Sequence, residues 1–110
     1  MIMFSHRDLA SGRWVGLTFA EQMGNIGSEV SRALAWRENN ARLFQGAVDR
    51  ALELIDLTMR DLRWRNRLGE LARAREVLCD AVSGGKEYES SLGDVDHYFF
   101  SFAVAARNKK

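Results

Sequence analysis

The chain has 110 residues, one cysteine and a formal net charge of +1, which is the size of one domain. Hydrophobic residues at 46% and charged residues at 28% describe a globular rather than a disordered chain. One thiol excludes an internal disulfide, and near-zero net charge excludes a global field toward nucleic acid or membrane.

The opening MIMFSHRDLASG has no apolar core of signal-peptide length. The longest apolar run, Tyr98 to Ala106, is far short of the roughly 20 residues that span a bilayer. A soluble, cytoplasmic protein without membrane association is expected. The absence of proline suits an all-α chain, because proline breaks helix interiors.

Residues 1–16 show no convincing period and are expected to be an irregular N-terminal segment, with 17–110 forming a single four-helix domain. The TFAE box at Thr18 opens the first helix by reciprocal capping with Glu21. Phe19, Met23, Ile26, Val30 and Ala33 then recur at helical spacing, and Glu38 to Asn40 end it. The second helix is expected from about Ala41 to Arg60, with Phe44, Val48, Ala51, Leu52, Ile55 and Met59 inward. Leu43, Leu54 and Leu57 lie off that stripe. A third helix is expected from about Trp64 to Val82, carrying Trp64, Leu68, Leu71, Leu78 and Val82, with Cys79 beside them. The sequence Ser83-Gly84-Gly85 stops it. The fourth runs from about Leu92 to Arg107, with Leu92, Val95, Phe99, Phe102, Ala103 and Ala106 inward. Short connections between four amphipathic helices predict an antiparallel up-down-up-down four-helix bundle.

The first helix carries a second feature. Ala20, Gly24, Ser28, Ser31 and Ala35 gather opposite its large apolar residues. Each helical glycine costs about 1 kcal/mol of propensity, so a close contact must offset it. These five residues are the expected interface of a homodimer, the commonest oligomer; the alternative is that the first helix is simply central in one chain.

Arg75 falls within the third helix's apolar stripe, where it must snorkel or meet an acid. Glu29, Glu53 and Asp56 are its expected neighbours. The cluster reads as a structural ion pair, or alternatively as a polar pocket for a small ligand or acid–base chemistry. Arg60, Arg63, Arg65, Arg67, Arg73 and Arg75 surround Trp64. They scatter around a helix and alternate with Glu70 and Glu76, so nucleic-acid binding is the less favoured reading.

No catalytic residues, metal site or cofactor are expected. Asp94 precedes His97 by one helical turn, but carboxylate-bridged metal bundles use paired Glu-x-x-His motifs. Cys79 reads as a small hydrophobe. No phosphate-binding glycine loop or Ser/His/Asp set occurs.

The run LTFAEQMGNIGSEVSRALAWRENN, followed by RALELIDLT and REVLCD, resembles a group of small, uncharacterised helical proteins of bacteria and archaea. That resemblance spans about Trp14 to Arg107 and implies a helical bundle without assigning a function. A looser similarity is to HEPN-type bundles, whose nuclease members carry an Arg followed, after four to six residues, by a His. The matching positions before His97 are Ser90, Ser91 and Leu92, and His6 has no room upstream. The RNase motif is absent. The reading that remains is a non-enzymatic protein–protein interaction module acting as a homodimer, with an unidentified protein as a possible further partner. Its alternatives are a ligand-binding or enzymatic bundle built on the polar cluster, and a nucleic-acid binder.

Overall fold

In the computed structural model, the Thr18 N–H donates to Glu21 Oε1 at 2.8 Å and the Glu21 N–H donates to Thr18 Oγ1 at 3.1 Å. This capping box starts α1, Phe19–Trp36. Asn40 accepts the Leu43 N–H at 2.9 Å and starts α2, Ala41–Met59. The third helix, α3, is Leu68–Val82, and α4 is Leu92–Asn108. At the head of α4, the Ser91 N–H donates to Asp94 Oδ2 and the Asp94 N–H donates to Ser91 Oγ. The structure describes residues 12–108, and the expectations for residues 1–11 and for the terminal lysines lie outside them.

The protein is an all-α four-helix bundle, with no strand among the described residues. α1 packs broadly against α2 and α4, and α3 closes the ring between those two. Gly24, Gly27 and Ser31 of α1 meet Ala103, Phe99 and Asp96 of α4 in that order. Those two helices therefore run antiparallel.

The expected α1 stripe of Phe19, Met23, Ile26, Val30 and Ala33 is fully in the core. On α2, Leu54 is also buried, although its spacing sets it off the main stripe, whereas Phe44 and Leu52 are half-buried. The α2 apolar face is thus rotated toward Ala47, Ala51 and Leu54. α3 starts four residues later than Trp64. Asp61 instead accepts the Arg63 N–H and caps a tight 3-10 turn over Leu62–Arg67. Trp64 has φ −106° and ψ 19° within it, outside helical geometry. The α3–α4 turn depends on glycine: Gly85 has φ +72°, and a Cβ there would lie 2.8 Å from the Ser90 carbonyl oxygen.

Trp14, within the segment expected to be irregular, packs into the core. It sits in a 3-10 turn, Arg13–Gly16, and is only 2% exposed. Its indole N–H donates to Thr58 Oγ1 at 3.1 Å, while the Thr58 hydroxyl donates to the Leu54 carbonyl. The buried Gln22 amide donates to the Trp14 carbonyl and to Asp61 Oδ2, and Trp64 Nε1–H donates to Gln22 Oε1. Arg63 covers Asp61 at 2.7 Å. The network ties the N-terminal turn, α1, α2 and the second turn into one end of the bundle. Every member has a partner, which is how buried polar groups avoid their desolvation cost.

Candidate functional site: the α1–α4 groove

The glycines of α1 serve close approach within the chain. A Cβ on Gly27 would stand 2.8 Å from Phe99 Cβ, and one on Gly24 would stand 3.3 Å from Ala103 Cα. The helix that comes near them is α4 of the same chain. The contact that offsets these two glycines is thus made within one chain, as the alternative reading of a central first helix expects. Of the five small residues singled out, Gly24 is buried here, Ala20 and Ser28 are half-buried, and Ser31 and Ala35 are exposed. The Ser28 hydroxyl donates to the Gly24 carbonyl at 3.3 Å, and the Ser31 hydroxyl donates to Asp96.

The outer side of the same seam stays open. Small side chains on α1 leave a groove of about 570 Å³, floored by Gly24, Gly27 and Ser28 and walled by Phe99, Phe100 and Ala103. Phe100 is 52% exposed on its rim. Asp96 lines one end of the groove and Arg107 lines the other. Arg107 makes no ion pair among the described residues. Phe100 lies off the inward stripe of α4 and is not among the residues expected to form a site. The available signal was a large aromatic next to Phe99, where one helix cannot direct both rings inward.

The anticipated polar cluster divides, with Glu29 and Asp56 in two separate ionic groups. Glu29 is buried and accepts from Arg32 at 3.1 Å and Arg50 at 3.2 Å. Arg75 reaches Asp56 with two bonds, at 2.8 and 3.3 Å. Both side chains of that second pair are about 40% exposed, so Arg75 is not a core residue. Hydrogen bonding to Asp56 raises the Arg75 guanidinium above its ordinary range. Glu53 is exposed. A second recess of about 300 Å³ lies between α3 and α4, floored by Ala74, Val77, Val95 and Phe99. The Tyr98 hydroxyl at its side donates to Glu70 Oε2 at 2.7 Å. None of Glu29, Glu53, Asp56 and Arg75 lines it.

Most of the arginines near Trp64 are engaged. Arg63 pairs with Asp61, and Arg67 pairs with Glu70 at 2.9 Å. The Arg67 guanidinium also lies 4.0 Å from the Phe19 ring centroid, and that of Arg73 lies 5.4 Å from the Tyr88 centroid. Among the described residues no group of three or more His, Cys, Asp or Glu side chains is placed to hold a metal. Asp94 is occupied in capping α4, His97 is exposed, and Cys79 is half-buried. No described helix is long and apolar enough to cross a membrane.

Comparison with protein families, curated proteins and solved structures finds no match for this chain.

Proposed function

We propose that this protein is a non-enzymatic interaction module that associates with a second copy of itself through the α1–α4 groove. One observation carries the reading: a phenylalanine half out of the fold stands beside a hollow made by small residues. An exposed aromatic next to an open apolar groove is the usual composition of an interface centre. A symmetric pair is the simplest way to cover both at once. The polar cluster does not favour the enzymatic alternative, because Glu29 is held by Arg32 and Arg50 while Asp56 is held separately by Arg75. A cytoplasmic location belongs to the same reading and rests on composition, with a single cysteine in the chain.

Light scattering on the wild type and on Phe100→Glu tests it. The wild type is expected to show a concentration-dependent dimer mass, and the variant a monomer with unchanged helix content. A wild type and variant of identical mass would overturn the proposal.

A further inference from the structure

Along α4, Asp96, Phe100, Ala103 and Arg107 fall at i, i+4, i+7 and i+11, the spacing of a single helix face. All four line the groove. The pattern has an internal symmetry. The midpoint between positions 96 and 107 is also the midpoint between 100 and 103. Reversed end for end, the face therefore presents an acid to a base and a large side chain to a small one.

We infer that two copies dock α4 against α4 in antiparallel orientation, about a twofold axis that crosses the helix between Phe100 and Ala103. This deepens the self-association reading above and rests on it. In that register Phe100 covers Ala103 of the partner subunit, and Asp96 faces Arg107 of the partner subunit. Twofold symmetry makes each contact twice.

Packing supports the register. Ala103 lies against Gly24, where even a Cβ would come within 3.3 Å of its Cα. The surface beside Ala103 is consequently low, and the partner's phenyl ring fits over it where two opposed rings would hold the helices apart. Charge supports the direction. A parallel arrangement would set Asp96 against Asp96 and Arg107 against Arg107, and like charges across an interface select against a partner. Within its own chain Asp96 accepts from the Ser31 hydroxyl, and Arg107 has no ion pair among the described residues. Both charges remain available to a partner. The two lie about 16 Å apart along the helix axis at ~1.5 Å per residue, so the matched stretch covers about three turns. A closed pair uses the face completely and leaves no free copy of it for a filament.

Charge reversal on the full chain reads the register directly. Asp96→Arg alone and Arg107→Asp alone should each weaken self-association by about tenfold or more, since each turns two attractive pairs into repulsive ones. Mixing the two variants should restore association to near the wild-type level. The double variant Asp96→Arg/Arg107→Asp should do the same. Sedimentation velocity measures the wild type and all four of these samples, and association restored in the mixture also shows that each single variant is folded. A monomeric wild type would end the self-association reading and this inference together. A dimeric wild type whose single variants associate normally, or whose mixture stays monomeric, would leave the reading standing and overturn the antiparallel α4 register.

Discussion

Gly27 and Phe99 approach so closely that a Cβ on residue 27 would lie 2.8 Å from Phe99 Cβ. Alanine at this position gains about 1 kcal/mol of helix propensity, but the added methyl forces α1 from α4 at a cost of about 1 to 3 kcal/mol. Gly27→Ala is therefore expected to be destabilising on balance. Gly24→Ala meets Ala103 at the looser 3.3 Å and should be close to neutral. Urea melts of the two variants measure the difference. Equal stabilities would show that the α1–α4 seam relaxes freely around either methyl.

The polar end of the bundle sets an acid limit on stability. The Arg63 hydrogen bonds hold the Asp61 carboxyl below its ordinary value of 3.8, against a smaller opposing effect of burial. A depressed folded-state pKa contributes stability above the unfolded pKa, and this is lost as pH falls through the folded value. The window thus lies below about pH 4. Asp61→Asn should lower stability at neutral pH and flatten the acid limb. Denaturant melts from pH 2 to 7 check this, and parallel curves for wild type and variant would contradict it.

Tyr98 sets the opposite limit. Burial, and then its hydrogen bond to Glu70, push its hydroxyl well above the usual tyrosine range. A raised folded-state pKa stabilises below the unfolded value, near about 10 for tyrosine, and that stability is lost as pH rises above it. Tyr98→Phe should therefore lose less stability than the wild type between pH 9 and 11. An identical alkaline slope in thermal melts would mean that Tyr98 ionises as readily in the fold as out of it.

Arg75 shows where pattern and packing part. Its spacing with Leu71 and Leu78 implies an inward side chain. Truncating a buried charge pair costs about 3 to 5 kcal/mol. In the fold both Arg75 and Asp56 are about 40% exposed, and an exposed ion pair contributes about 0 to 1 kcal/mol. Arg75→Ala should consequently cost no more than about 1 kcal/mol in denaturant melts. A loss of several would place the guanidinium in the core.

The regular part of the fold was legible because its signals are local. The Thr18–Glu21 box, the apolar periodicity of α1 and the glycine stop after Val82 each act within a few residues. Features that depend on distant partners were not. Trp14 lies in a segment without periodicity, and its place in the core rests on Thr58 and Gln22, reached only through folding. Asp61 ended the expected start of the third helix because its carboxylate caps a turn and binds Arg63. The small residues of α1 were legible as a close-contact face, but the identity of the approaching helix was not. Phe100 acquires its meaning only when α4 is seen to leave it beside that face.

The most direct test is sedimentation equilibrium of the wild-type chain over a wide concentration series. A chain that pairs through the α1–α4 groove should rise from the 12.5 kDa protomer mass to twice that value and no further. Phe100→Glu should remain at the protomer mass throughout. A wild type that stays at the protomer mass into the high micromolar range would contradict self-association through this face.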